Sequence, residues 1–192
     1  MNIERSLYLF AIAILLFIVG LLYGGEGKLF SDNNTDREVD LSGGEYLRMV
    51  YIGSSTCPFS NNEATHKMIS FIKDELELIL QDQDVNLITT GISTDMSTEI
   101  GKIFLDETGP YHELITGAGT FNLGIINYSP GATSTPQLLF FKEYHGTDLI
   151  GLNMNNFKDS QTILKTYNGQ FEIQELYEAL KHSEKGLAVL GL

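Results

Sequence analysis

Cysteine is nearly absent from this 192-residue chain, which contains only Cys57. A single cysteine excludes an intramolecular disulfide framework, and it excludes a structural zinc site built from several thiolates. The histidines do not replace the missing thiolates as ligands, because they are scattered without metal-ligand spacing: His66, His112, His145 and His182. We therefore expect no metal.

Positive charge is also scarce. The chain has 12 Lys and Arg residues against 25 Asp and Glu residues, which gives a formal net charge of −13. Nucleic-acid binding depends on clustered Lys and Arg that contact phosphates, so we expect no nucleic-acid partner. Gly117 and Gly119 lack the third glycine and the strand-to-helix context of a dinucleotide-binding loop. We expect no cofactor.

Charge is missing altogether from residues 7–23, which read LYLFAIAILLFIVGLLY. This length is at the short end of what spans a bilayer. Arg5 precedes the run and no early Lys or Arg cluster follows it, which favours a cytoplasmic N-terminus. A cleavable signal peptide is the alternative, but its apolar region is normally about 7–15 residues and ends at an A-x-A-like site. A buried helix of the folded domain is disfavoured because the run is apolar on all faces.

We therefore predict four segments. Residues 1–23 form an uncleaved signal anchor, with membrane contact through residues 7–23, and residues 24–44 form a polar linker. Residues 45–182 form the folded domain, and residues 183–192 form a C-terminal tail. The protein would be a single-pass membrane protein with its C-terminal domain extracytoplasmic, and periplasmic in a Gram-negative cell.

The predicted domain begins with a strand, a helix and a strand, at Tyr46–Ile52, Asn61–Gln81 and Val85–Ser93. Apolar residues of the helix recur at three- and four-residue spacing, and both strands are mostly apolar. Two strands joined by a long helix predict parallel pairing with a right-handed crossover.

The remaining elements are shorter. Ser93-Thr94-Asp95 is typical of a helix cap, before a short helix at 97–105. A glycine-rich segment at 107–133 follows, with helical turns at 111–115 and 121–126. The last predicted elements are a strand at 137–143, a hairpin turn at 144–147, a returning strand at 148–152 completed at 162–167, a turn at 168–169 and a helix at 172–182.

Cys57 lies between the first strand and the first helix, in the run Cys57-Pro58-Phe59-Ser60. At a helix N-terminus, free N–H groups and the helix dipole favour the thiolate. Flanking small polar residues at 54–56 and the Pro58 turn predict an exposed sulfur. The alternative is an inert cysteine that acts as a small buried hydrophobic residue, and the sequence leaves both interpretations open.

This motif and the order of elements resemble the thioredoxin-like fold superfamily over roughly residues 45–182. The resemblance implies an α/β fold, a three-layer α/β/α domain with a mixed central sheet, here preceded by an N-terminal transmembrane helix. It implies that Cys57 is the nucleophile and that the Thr135–Pro136 peptide bond is cis and faces it. It also implies that Pro58, Phe59, Thr135 and Pro136 bind the substrate.

The chain departs from the dithiol members of that superfamily at Ser60, where they have a second cysteine. A serine hydroxyl forms no disulfide, so an outside thiol would have to resolve a mixed disulfide at Cys57. Monothiol glutaredoxins have a similar Cys-x-x-Ser site, but we find no further glutathione-binding pattern. A peroxiredoxin-like site is disfavoured, because positions 50–57 lack the proline and threonine of Pro-x-x-x-Thr-x-x-Cys.

Two functions follow as hypotheses. In the first, a membrane-anchored monothiol protein exchanges disulfides with protein thiols, with Cys57 as nucleophile and Ser60 hydrogen-bonded to its sulfur. In the second, a non-catalytic module binds an envelope protein partner or assists assembly of an envelope complex. The segment 107–133 and the acidic surface would then supply the contacts.

Overall fold

The computed structural model describes residues 44–81, 83, 85–129, 134–145, 161–182 and 190. The predicted anchor, the linker up to residue 43, the predicted strand at 148–152 and all of the predicted tail except Leu190 lie outside these residues. Among the helices that are described, none has both the length and the apolar character needed to cross a membrane.

The described strands form one mixed sheet in the order β3-β2-β1-β4-β5. They are β1 (Gly44–Gly53), β2 (Val85–Ser93), β3 (Glu113–Ile115), β4 (Gln137–His145) and β5 (Gln161–Asn168). β2 is parallel to both β1 and β3, while β4 is antiparallel to both β1 and β5. The predicted parallel pairing of the first two strands is therefore confirmed.

Strand β1 is central and is buried from Tyr46 to its end at Gly53. Its side chains alternate between two cores, because successive residues of a strand face opposite sides of the sheet. Leu47, Met49 and Tyr51 enter one core, and Val50 and Ile52 enter the other. A strand covered on both faces needs a continuous apolar run rather than an alternating one.

The helices are α1 (Glu63–Gln81), α2 (Thr98–Asp106), α3 (Leu123–Tyr128) and α4 (Gly169–Lys181), with a 3-10 helix at Gly119–Phe121. α1 and α4 share the core that contains Tyr51, through residues such as Ile72 and Leu176. α3 packs on the opposite face with Ile125 and Tyr128. Helices on both faces of a mixed sheet match the architecture of a thioredoxin-like domain.

The structure corrects several predicted elements. α1 begins at Glu63 rather than Asn61, because Asn62 caps it by accepting the Thr65 N–H at 2.9 Å. The cap of α2 is Ser97, which accepts the Ile100 N–H, and not the run Ser93-Thr94-Asp95. The predicted helical turn at 111–115 is wrong, because Glu113–Ile115 pairs with β2 as an edge strand.

The later elements follow the prediction more closely. The predicted helical turn at 121–126 overlaps the end of the 3-10 helix and the start of α3. The antiparallel pairing of β4 with the segment containing 162–167 is confirmed. α4 begins at Gly169, three residues earlier than predicted, where the Glu172 carboxylate accepts the Asn168 N–H at 2.6 Å.

Candidate functional site

Cys57 lies just beyond the carboxyl end of β1, in a turn that leads into α1. The Cys57 carbonyl oxygen accepts hydrogen bonds from the N–H groups of Ser60 at 3.0 Å and Asn61 at 2.8 Å. The backbone N–H groups of Phe59 and Ser60 also lie close enough to the sulfur to lower the pKa of the thiol. The thiol therefore has backbone donors around it, as predicted for a helix N-terminus, although the regular helix starts several residues later.

The sheet topology brings Thr135 to the thiol. β4 is antiparallel to β1 and starts at Gln137 opposite Ile52, so the residues before β4 meet the residues after β1. The Cys57 thiol donates a hydrogen bond to the Thr135 carbonyl oxygen, with an Sγ–O distance of 3.2 Å. The Thr135–Pro136 peptide bond is cis, as the resemblance implies.

The environment of Cys57 favours its thiolate. Partial burial raises the pKa of the thiol, but groups near the sulfur that can donate to it outweigh that effect. These groups are the hydroxyls of Ser60 and Thr135 and the N–H groups of Ser60 and Phe59, and the net pKa of Cys57 is lower than usual. Cys57 as a whole is half-buried rather than fully buried. A lowered pKa and access to solvent are features of reactive cysteines.

The other predicted site residues differ in exposure. Phe59 is 56% exposed and Pro58 is exposed, so both are available to a partner. Thr135 is half-buried, whereas Pro136 is buried and its carbonyl oxygen accepts the Gly169 N–H at 2.8 Å. Contact with a partner at this loop would therefore involve Thr135 more than the Pro136 ring.

Ser60 is fully buried beside the sulfur and does not cap α1. Its hydroxyl affects the pKa of both Cys57 and Tyr51, which places it near both groups. Yet neither Ser60 Oγ nor the Tyr51 hydroxyl has a partner that meets full hydrogen-bond geometry among the described residues. Tyr51 is a core residue, and its hydroxyl lies toward the thiol site.

Asp95 holds the loop that precedes Cys57, a role that the sequence did not indicate. Its carboxylate accepts hydrogen bonds from Ser55 N at 3.0 Å, Ser55 Oγ at 2.8 Å, Ser54 Oγ at 3.2 Å and Ser93 Oγ at 2.6 Å. Burial raises the pKa of Asp95, but these hydrogen bonds lower it below the usual value. Parallel pairing places Gly53 opposite Ser93, so Ser54 and Asp95, which follow the two strands, lie at the same edge of the sheet. The strand register is therefore the signal that could have indicated this contact.

A second polar cluster lies within the sheet and surrounds Arg48, which is buried in β1. Its guanidinium donates to Glu143 at 2.6 Å and to Thr90 at 2.7 Å, and it also pairs with Glu113. Burial lowers the pKa of Arg48, but the hydrogen bond and the negative charge of Glu143 outweigh it and raise that pKa. All the charges are satisfied within the cluster, so we assign it a structural role.

The structure places two of the histidines in ordinary contacts. His66 Nδ1 lies 3.0 Å from a carboxylate oxygen of Glu107, and His112 Nδ1 accepts the Thr89 N–H at 3.0 Å. Across the described parts of the chain, His, Cys, Asp and Glu side chains do not gather in threes as a metal site would require.

Comparison with known proteins adds two distant structural neighbours. No protein-family model matches the chain, and no curated protein is similar in sequence. A Bacteroides thetaiotaomicron protein, provisionally assigned as a protein disulfide isomerase, is 18% identical with a TM-score of 0.40 and covers 76% of this chain and 79% of its own. BsSco, of the Sco family of cytochrome c oxidase assembly proteins, is 14% identical with a TM-score of 0.36 and covers 71% and 79%. Both likenesses are too weak to bear on function.

Proposed function

We propose that this protein carries out monothiol thiol–disulfide exchange with protein substrates through Cys57. The observation that carries the proposal is the setting of the sulfur. Cys57 is only half-buried, its sulfur lies 3.2 Å from the Thr135 carbonyl oxygen, and the donors around the sulfur lower its pKa. Such donors stabilise the thiolate, which is the nucleophile in disulfide exchange.

The exchange takes place in two balanced steps. The Cys57 thiolate attacks one sulfur of a substrate disulfide, a Cys57–substrate disulfide forms, and the other substrate sulfur leaves as a thiolate that takes a proton from water. The thiolate of an external thiol, from a protein or a small molecule, then attacks the substrate sulfur of the mixed disulfide, a disulfide between the substrate and that thiol forms, and Cys57 leaves as a thiolate. Ser60 forms no disulfide, so the second step needs that external thiol.

The substrate surface follows from the exposed groups around the sulfur. Phe59 and Pro58 offer an apolar contact on one side, and the backbone of Thr135 lies on the other. We further propose that residues 7–23 anchor the protein in a membrane and hold the domain outside the cytoplasm. Oxidised protein substrates are available there, since disulfides persist in extracytoplasmic compartments.

The acidity of Cys57 tests the redox proposal directly. The rate of alkylation by iodoacetamide is measured against pH on the purified full-length protein, with Cys57→Ser as the blank. We expect a midpoint below the value of a free cysteine, about 8.5. A midpoint at or above that value would contradict the proposal.

A non-catalytic binding or assembly role is the second candidate, and one observation favours it. Several large apolar side chains are exposed in the region 96–126, above all Met96 at 77% and Phe121 at 81%. Exposed apolar groups of this size are typical of protein contacts. This role predicts that cells with Cys57→Ala retain the cellular function of the protein, whereas cells with Phe121→Ser lose it. Loss of that function with Cys57→Ala would rule this candidate out.

A further inference from the structure

Two buried hydroxyl groups stand behind the sulfur of Cys57. Tyr51 and Ser60 are both 0% exposed, and neither Tyr51 OH nor Ser60 Oγ meets full hydrogen-bond geometry with any partner in the part of the chain that is described. Buried polar groups in native proteins are nearly always hydrogen-bonded, so each such group needs an explanation. Their position next to the thiol supplies one.

The backbone is shaped to admit the Tyr51 hydroxyl at this point. A Cβ atom on Gly53 would lie 2.8 Å from the Tyr51 oxygen and 2.7 Å from the Phe104 ring. Glycine at position 53 therefore leaves room for the Tyr51 hydroxyl next to the loop that follows β1 and contains Cys57. The ring packs against Phe104 at a centroid distance of 6.3 Å, which fixes its direction.

We propose that Tyr51 is a positioning residue for Cys57, whose hydroxyl donates to Ser60 Oγ while the Ser60 hydroxyl donates to the Cys57 thiolate. We call this chain of groups the hydroxyl relay. The inference deepens the proposed function, because it concerns the same sulfur. It needs no proton transfer along the relay: the thiol proton leaves to solvent, and both hydroxyl groups keep their hydrogens.

The relay explains why the two hydroxyl groups lack full partners around a neutral thiol. A thiol sulfur is a weak acceptor, and here the S–H group is directed at the Thr135 carbonyl oxygen. A thiolate is a strong acceptor, so its formation gives Ser60 an acceptor and allows Ser60 to accept from Tyr51. A disulfide at Cys57 removes that acceptor again. The relay thus favours the free thiolate over both the thiol and the mixed disulfide.

The charges around the site are consistent with this assignment. Burial raises the pKa of Tyr51 far above its ordinary value, and a negative Cys57 raises it further, so Tyr51 remains a donor. Tyr111 also faces Tyr51 and its pKa is raised by burial, so it is neutral as well. Asp95 is bonded to the preceding loop, and the groups that contact the sulfur from Phe59, Ser60 and Thr135 are uncharged.

The test combines Tyr51→Phe, Ser60→Ala and the double variant with pH-dependent alkylation of Cys57. In Tyr51→Phe we expect a higher midpoint and, below the midpoint, alkylation about threefold slower. Thermal stability should stay unchanged or rise, because the variant removes a buried hydroxyl without a full partner. In the Ser60→Ala background, Tyr51→Phe should have no further effect on alkylation, since the relay passes through Ser60.

Tyr167→Phe is the matched control. It also removes a buried tyrosine hydroxyl without a partner among the described residues, on the same face of the sheet, but Glu172 and Glu175 are its charged neighbours. We expect this variant to leave alkylation unchanged. The relay is overturned if Tyr51→Phe leaves the midpoint unchanged, if its effect persists in the Ser60→Ala background, or if Tyr167→Phe has the same effect. A high wild-type midpoint would instead contradict the proposed function, so the two failures are distinguishable.

Discussion

Asp95 connects the loop before Cys57 to the end of β2, and its substitution tests how that loop is held. Asp95→Asn keeps the size of the side chain but removes the charge and brings an NH2 group toward the Ser55 N–H. We expect a loss of about 1–3 kcal/mol in the free energy of unfolding at pH 7, measured by urea denaturation. Asp106→Asn, an exposed substitution with the same charge change, should have little effect.

The same variant has a predicted pH signature. The pKa of Asp95 is lowered in the folded protein, so its ionised form stabilises the fold at pH values above its unfolded pKa of about 3.9. That contribution is lost as the pH falls through the lower, folded pKa. The stability difference between wild type and Asp95→Asn should therefore shrink below about pH 4. A difference that stays constant down to the acid limit of folding would show that the carboxylate charge is not involved.

At the scale of elements, α1 holds the site in two ways: it packs against the sheet, and its Thr65 hydroxyl donates to the Phe59 carbonyl oxygen at 2.8 Å. Ile72 lies on its inner face, is fully buried and belongs to the core shared with α4. Ile72→Ala should destabilise the domain by about 2–5 kcal/mol in urea denaturation, because it removes buried methyl groups and leaves a cavity. Leu78→Ala on the same helix is the control, since Leu78 is 59% exposed. Equal losses in the two variants would be inconsistent with the packing described here.

The sequence predicted those elements whose pattern is local. The apolar spacing of α1 and the apolar runs of β1 and β2 arise from burial along each element, so periodicity identifies them. β3 escaped prediction because it has three residues and exists only by pairing with β2. The start of α4 was placed too late for a related reason, since Gly169 favours a turn (φ +80°) and the helix there is supported by the contact between Asn168 and Glu172.

The candidate site was predictable only in part, for the same physical reason. Cys57 and its neighbours form a contiguous motif, and Thr135 was indicated by the resemblance. Asp95 was read as part of a helix cap, because Ser-Thr-Asp has that local signature whether or not the carboxylate turns to another strand. The position of the Tyr51 hydroxyl could not be predicted, since it depends on Gly53 and Phe104 and no local sequence pattern indicates it.

At the scale of the whole molecule, two kinds of polar interior lie in the sheet region. Around Arg48, opposite charges meet and satisfy one another, and buried pairs of this kind are costly to break. Around Cys57, neutral hydroxyl groups and N–H donors surround a single group that can become negative. Of these two arrangements, only the one around Cys57 has donors for a negative charge that is not already paired. We therefore locate the chemistry at Cys57.

Because Cys57 is the single cysteine of the chain, labelling of its thiol shows on which side of the membrane the domain lies. If residues 7–23 anchor the protein with its domain outside the cytoplasm, a membrane-impermeant maleimide should label Cys57 in intact cells, or in spheroplasts where an outer membrane is present. Cys57→Ala should give no label. A second cysteine placed by Asn2→Cys in the Cys57→Ala background should react only after lysis, because the N-terminus would be cytoplasmic.

The same samples separate the anchor from a cleaved signal peptide. An anchored chain stays with the membrane after an alkaline carbonate wash and keeps its N-terminal residues, whereas a processed chain is released and is shorter by mass spectrometry. Labelling of Cys57 only after lysis would place the domain in the cytoplasm. Small-molecule thiols of the cytoplasm would then supply the resolving thiol for Cys57. The proposal that the substrates are extracytoplasmic would be wrong.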